Sequence, residues 1–195
     1  LSDYWIYSTE VTNSQYALCI AQEWCSRPSP DDNPEFDAFP ALQRPVVGVS
    51  YEQARSYCQF MGGDLPTEAQ WEKAARGTDG RPYPWGKAEP TCDLANFANC
   101  LKHTDDVLRR EHGQSSYGVL NLAGNVYEWV ADWYGLYSDA AQTDPGGPVT
   151  GEARIAKGGS WLDRPDDVRS ANRGANATDY CEHKVGFRCA SSAPP

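Results

Sequence analysis

The stretch "GVLNLAGNVYEWVADWY", residues 118–134, decides the fold of this chain. It lies in the second half of the sequence, beyond Gly77, where helical periodicity disappears. There, turn dipeptides such as Asp79-Gly80 and Gly146-Gly147 alternate with short aromatic strands. Loops this long are uncommon in a compact domain unless they carry function or are fixed by ions or disulfides. The sequence therefore predicts that something pins the second half.

The first half is helical in pattern. Residues 3–22 alternate like a strand and then follow a helical period that Thr12 or Asn13 can cap. Residues 44–63 repeat this unit, with an apolar run, a Ser50 cap and a stop at Gly62-Gly63. Residues 65–77, "LPTEAQWEKAARG", predict a third helix with a capping box of Thr67 and Gln70. We therefore expect three helices before a region of strands and loops.

Composition limits the class of protein. The 195 residues fit one domain, residues 1–195, and the content of 17 Gly, 14 Pro, 7 Trp and 11 Tyr indicates a loop-rich body with aromatic anchors. The net charge of -10 argues against a nucleic-acid partner. No apolar run is long enough for membrane insertion, so we expect a soluble domain of the bacterial cytoplasm or cell surface. The start at Leu1 suggests either a domain excised from a longer chain or a mature fragment, and a covalently fused upstream domain is one candidate partner.

The seven cysteines leave alternatives open. Their spacings match no zinc pattern. Cys19 with Cys25, and Cys92 with Cys100, either close small disulfide loops or remain buried free thiols. The sequence does not decide between the two.

Seven motifs, in order along the chain, carry a family resemblance. They are "EVTNSQY", "LPTEAQWEKAARG", "YPWG", "GVLNLAGNVYEWVADWY", "KGGSW", "RSANR" and "GFRCA". Together they resemble the formylglycine-generating enzyme family, also called the sulfatase-modifying-factor domain, over nearly the whole chain. The resemblance implies an α+β, C-type-lectin-like fold rich in irregular loops. The family includes domains fused to kinases or proteases and variable proteins of diversity-generating retroelements, so function must come from the site.

The enzymes that this chain resembles convert a sulfatase cysteine to formylglycine with two cysteines that bind copper(I). Here Asp163 and Val168 stand at the matching positions, and neither can supply a thiolate. The three histidines are scattered, and there is no GxSxG motif. We therefore expect no formylglycine generation and no catalytic residues; the alternative functions are an enzyme of the formylglycine-generating type and a regulatory sensor domain fused to a kinase or protease.

The resemblance also implies calcium as a cofactor. Its ligands would be the Asn121 side chain, the Gly124 and Val126 carbonyls and Glu128, a mixture of oxygen donors that calcium accepts. The alternative is that Asn121 caps a turn and Glu128 pairs with an arginine. A second family site would use Asn96 and the Phe97 carbonyl with Asp105 or Asp106, although the sequence after them departs from the family pattern.

Cys58 and Cys189 match two family positions that form a long-range disulfide. We expect the two to lie close together, either bonded or as reduced thiols in contact. Arg169, Arg173 and Arg188 are expected to be structural, since arginine forks commonly bind loop carbonyls and carboxylates.

The segment 162–185 is predicted to bind a ligand, because loops on a rigid scaffold are where binding evolves most freely. It lies between "KGGSW" and "GFRC", and retroelement-diversified relatives vary here by mutation of adenines in Asn codons. Such mutations can produce the residue types found at the candidate positions from Leu162 to His183. They cannot produce Glu182 or Lys184. We expect an unknown protein or small molecule as the ligand. The candidate contacts are Trp161, Leu162, Asp163, Arg164, Asp166, Asp167, Gly174, Ala175, Asn176, Ala177, Tyr180, Cys181 and His183.

Overall fold

The three helices form where the sequence predicts them. A computed structural model describes residues 1–193 and places α1 at Asn13–Ala21, α2 at Tyr51–Phe60 and α3 at Glu68–Arg76. Each begins with a complete capping box, in which a Thr or Ser hydroxyl and a Gln side chain satisfy each other's backbone N–H groups. Short 3-10 turns lie at Phe39–Ala41 and Glu111–Gly113. The local cap chemistry thus fixes all three helix starts.

Six short strands form two sheets. They are β1 (Trp5–Ile6), β2 (Tyr127–Trp133), β3 (Arg154–Lys157), β4 (Gly174–Asn176), β5 (Val185–Phe187) and β6 (Ala190–Ser191). β1 pairs with β6 and joins the two ends of the chain. The larger sheet has the order β4-β3-β2-β5, in which β2 runs parallel to β5 and antiparallel to β3. Helices in the first half and strands in the second give the expected α+β class.

The predicted strand before α2 is wrong. Residues 45–49 are buried, but they form only an isolated bridge between Thr12 and Pro45. Their backbone groups bond to separate segments: Val46 N donates to Val11 O, and Gly48 N donates to Glu182 O. A ladder needs one continuous partner strand, so a run shared between segments stays irregular.

The core lies between the helices and β2 to β5. Trp129 and Phe187 are fully buried in the main cluster, where Tyr16 and Tyr57 stack at 5.6 Å between ring centroids. A second cluster forms around the buried Trp71, under β3. Several of the aromatic anchors that the composition predicts therefore occupy the interior, whereas Trp5 and Trp24 are exposed.

Three disulfides tie the fold together within the described residues. Cys58 and Cys189 are bonded across 131 residues, as the resemblance implied. The two local pairs, Cys19–Cys25 and Cys92–Cys100, are also bonded, which resolves the alternatives left by the sequence. Cys181 alone is free.

Candidate functional site

The segment 162–185 is held at both ends by backbone hydrogen bonds. Before it, Gly158 and Gly159 have φ of +91° and +71°, and a Cβ on Gly159 would lie 2.9 Å from the Asp167 carbonyl oxygen. After it, the Tyr127 N–H donates to the Lys184 carbonyl at 2.8 Å as β5 begins. β4 forms the edge of the larger sheet in the middle of the segment. The segment is therefore a surface loop with one short strand between two buried anchors.

All thirteen predicted contact residues reach the surface, and none of them is buried. Leu162, Arg164, Asp166, Ala175, Ala177 and His183 are exposed, and the remaining seven are half-buried. The structure brings Trp161 and His183 together, with ring centroids 5.8 Å apart, although 22 positions separate them in sequence. The exposed strand residue Ala175 lies on β4. The candidate residues thus share one continuous segment, but a Val168 side chain within it points inward.

The positions of the missing cysteines hold a turn residue and a core residue. Asp163 accepts hydrogen bonds from the Ser160 N–H at 2.9 Å and from the Ser160 hydroxyl, so its carboxylate closes a turn. Val168 is fully buried in a cluster with Tyr83 and Phe97. Cys181 lies elsewhere, with its sulfur 3.9 Å from an Asp32 oxygen. Burial and Asp32 both raise the pKa of the Cys181 thiol, which disfavours the thiolate that copper(I) requires.

One tyrosine beside the segment, Tyr127, and one within it, Tyr180, have raised pKa values. Burial, with Asp163 and Asp167 nearby, raises the pKa of Tyr127 to about 12. Burial also raises the pKa of Tyr180, as does its hydrogen bond to Glu182. Both hydroxyls therefore stay protonated at neutral pH and act as hydrogen-bond donors rather than as bases.

The predicted calcium ligands lie in a buried cluster with an arginine. Glu128 is fully buried, and its two oxygens accept from Arg188 Nη2 at 2.7 Å and Arg188 Nε at 2.6 Å. The Trp71 indole N–H donates to the same carboxylate at 2.8 Å. The arginine partner that the alternative required is therefore present, and it is Arg188.

A second carboxylate, Glu10, gives the cluster one negative charge in excess when it is ionised. Glu10 is also fully buried, and it accepts hydrogen bonds from the Asn121 amide at 2.9 Å and the Asn125 amide at 2.8 Å. Desolvation raises its pKa to about 7, while Arg188 acts in the opposite direction. The Arg188 guanidinium thus donates hydrogen bonds to Glu128 and acts on Glu10 only through its charge. Because Asn121 uses its NH₂ group in these bonds, its oxygen remains a donor of the kind that calcium takes.

The Asn121 side-chain oxygen is a ligand of the kind that calcium takes, whereas both Glu128 oxygens already accept hydrogen bonds from Arg188 and Trp71, so a calcium ion at Asn121, Gly124, Val126 and Glu128 stays a prediction. Calcium bound there would supply a fixed positive charge that cross-links the turn to β2. Among residues 1–193, no group of three or more His, Cys, Asp or Glu side chains is arranged to hold a metal, so any ion here depends on amide and carbonyl oxygens.

The second calcium set does not fit. The Asn96 side-chain oxygen accepts from the Leu101 N–H at 3.2 Å, and the Phe97 carbonyl accepts from the Cys100 N–H at 2.8 Å. The buried Asp105 carboxylate forms ion pairs with Arg109 at 3.3 Å and Arg110 at 3.0 Å. These oxygens are already engaged with cations or N–H groups, so they do not form an open oxygen cage.

Sequence reasoning missed a cleft of about 900 Å³ between α3 and residues 135–148. Its floor is a charged network in which Arg173 donates to Glu68 at 2.7 Å and 3.0 Å. Lys157, with no exposed surface, lies 3.1 Å from Glu72 and 3.5 Å from Glu68. Arg173 and the glutamates of "PTEAQWE" both belong to the family motifs. The motifs do not show that Arg173 contacts Glu68, which lies 105 positions earlier in the chain. The predicted structural role of Arg173 agrees with this network.

The comparisons with known proteins define the class. The chain matches the sulfatase-modifying factor enzyme 1-like domain over residues 1–193, and it belongs to that family. It is 38% identical over 166 residues to a formylglycine-generating enzyme of Streptomyces coelicolor. This match covers 76% of this chain and 53% of that protein. It is also 39% identical over 155 residues to serine/threonine-protein kinase pkn1 of Chlamydia pneumoniae. That match covers 77% of this chain and 24% of the kinase.

Among solved structures, Treponema denticola variable protein 1 has a TM-score of 0.77 at 20% identity, covering 97% of this chain and 84% of that chain. This likeness confirms the α+β fold of the formylglycine-generating-enzyme and C-type-lectin-like type. The chain spans about half the length of the curated enzyme it matches and about a quarter of the kinase. Within residues 1–193, no helix is long and apolar enough to cross a membrane.

Proposed function

We propose that this domain is a non-catalytic ligand-binding module that displays residues 162–185 as its binding surface. The observation that carries the proposal is the contrast within this one segment. Twelve of the thirteen candidate contacts lie in it and reach solvent, Asp163 among them, while the two positions that would hold copper carry Asp163, whose carboxylate closes a turn, and the buried Val168. The segment keeps the family scaffold and lacks the residues of the family's oxidation chemistry.

The rigid surroundings support binding rather than disorder. The Gly158 carbonyl before the segment accepts a hydrogen bond from the Gly124 N–H, and β5 after the segment pairs with β2, so ordering the loop costs little entropy when a ligand arrives. The pairing of Trp161 with His183 supplies an aromatic face beside the charged residues. Tryptophan is among the residues that are enriched in binding hot spots. Diversification by a retroelement is one origin for such a surface, and the fold likeness to a Treponema variable protein supports it only at the level of the scaffold.

The experiment changes the exposed residues and leaves the core alone. A variant with R164E, D166K, A175K, A177E and H183E keeps the buried Val168 and Ser170. Wild type and variant are probed on the same arrays of glycans, peptides and small metabolites, with the melting temperature as a fold control. Loss of a wild-type ligand at unchanged melting temperature supports the proposal. A ligand that binds both proteins equally and is lost on Tyr137→Ala in the cleft contradicts it.

A second candidate is a sensor domain within a longer signalling protein. Its support is the 39% identity to a chlamydial serine/threonine kinase of which this domain covers only 24%. Sequencing the whole open reading frame tests it directly. A kinase domain in the same chain supports the sensor function, and a chain without one leaves the stand-alone binding module.

A further inference from the structure

One disulfide-closed loop lies directly against the start of the ligand-binding segment. This loop, residues 92–100, is closed by Cys92 and Cys100. The Ala98 N–H donates to the Asp163 carbonyl at 2.8 Å, and the Asn99 N–H donates to the Trp161 carbonyl at 2.8 Å. These two bonds form a backbone clamp on the first turn of the segment.

The clamp depends on an unfavourable backbone conformation. Ala98 and Asn99 have φ of +46° and +60°, so two consecutive non-glycine residues are left-handed. Asn tolerates this region, but for Ala it costs free energy and persists only when the surroundings impose it. The disulfide and the Cys100 N–H bond to the Phe97 carbonyl at 2.8 Å impose it on a loop of nine residues.

This disulfide is also the accessible one. Cys92 is exposed and Cys100 is half-buried. By contrast, both cysteines of the Cys58–Cys189 bond are at most 2% exposed, and both of the Cys19–Cys25 bond are at most 8% exposed. Thiol–disulfide exchange requires an in-line approach of the attacking thiolate, so access decides which bond is reduced first.

We propose that the Cys92–Cys100 bond is a redox-sensitive support of the ligand-binding segment. A thiolate of an external dithiol attacks one sulfur of the bond and forms a mixed disulfide, which the second thiol of the reductant resolves. The reductant leaves as a cyclic disulfide, and Cys92 and Cys100 take up the two electrons and two protons as thiols. The loop then leaves the left-handed conformation and releases the carbonyls of Trp161 and Asp163. Release of these carbonyls would then change ligand binding by residues 162–185, a consequence that rests on the function proposed above.

Mild dithiothreitol treatment of the native protein tests the order of reduction. Alkylation followed by mass spectrometry should label Cys92 and Cys100 while the other two disulfides remain closed, with Cys181 labelled at the start as an internal control. Hydrogen exchange of the same samples should show the Ala98 and Asn99 amides exchanging at least about tenfold faster after reduction. The Gly124 amide, bonded to the Gly158 carbonyl, should not change.

A double variant, Cys92→Ser with Cys100→Ser, should reproduce the reduced state, and Cys19→Ser with Cys25→Ser is the matched control because it opens another short loop. Unchanged exchange at Ala98 and Asn99 after reduction, or earlier labelling of a buried disulfide, overturns the inference. This readout requires no ligand. If the clamp opens and the surface variant described above still binds like wild type, the proposed function fails while the redox response of the loop stands.

Discussion

Glu128 and Arg188 form a two-pronged ion pair with no solvent exposure on either side chain, at distances of 2.6 and 2.7 Å. The pair joins β2 to the end of the chain. Arg188 also donates to the Tyr7 and Leu120 carbonyls at 3.0 and 2.8 Å, so one guanidinium links three segments. A buried pair of this kind is sensitive to the loss of one partner, because the remaining charge cannot reach water.

We expect Arg188→Met to lower the free energy of unfolding by about 3–5 kcal/mol, because Glu128 and Glu10 would both be left without a cation. Urea denaturation measures the change. Adding Glu128→Gln to Arg188→Met should restore part of the loss. Arg27→Met is the matched control, because the Arg27–Asp37 pair is 60% and 69% exposed and should contribute less than about 1 kcal/mol. Equal losses in the two single variants would contradict the importance of burial.

Calcium binding is tested on metal-stripped protein. Millimolar calcium should raise the melting temperature, because an ion that binds only the folded state stabilises it by mass action. Glu128→Gln should reduce that rise, whereas Glu152→Gln, at an exposed position, should not. Isothermal calorimetry that detects no heat, together with an unchanged melting temperature, would leave Glu128 only as the partner of Arg188.

The oxidation chemistry of the family enzymes should be absent. Incubation with copper(I) and a sulfatase-type cysteine peptide should give no aldehyde by mass spectrometry, because Asp163 and Val168 cannot bind copper as thiolates. An active relative such as the Streptomyces enzyme serves as the positive control. An aldehyde product above the peptide-only background would refute the non-catalytic assignment.

Asp132, under the cleft, should make stability depend on pH. Its pKa is raised to about 6, mainly by burial, so the folded state holds a proton that the unfolded chain releases near pH 4. Stability from this group therefore falls as the pH rises from about 4 to 6. Relative to wild type, Asp132→Asn should gain up to about 1.4 kcal/mol per pH unit across that window. Urea titrations at pH 4, 5, 6 and 7 measure it, and a difference that is flat with pH would contradict the raised pKa.

The sequence by itself determined the local structure and the class of protein. The capping boxes placed two helix starts at Ser50 and Thr67, since each is a contact between residues three positions apart, while for the first helix the sequence left Thr12 and Asn13 open and the structure has the cap at Thr12. The ordered motifs identified the family, and the absence of cysteines at 163 and 168 is a property of the residues themselves. These conclusions required no knowledge of contacts between distant segments.

The tertiary structure decided what depends on distance. The apolar run over residues 45–49 predicted a strand, but the backbone partners of these residues are divided among separate segments. The match of Asn121 and Glu128 to calcium ligands did not reveal that Arg188, 60 positions away, occupies the same carboxylate. Nor could spacing show that the loop of residues 92–100 clamps Trp161. Burial and charge pairing act through space at a few ångströms, so residues far apart along the chain acquire their roles only when folding brings them together.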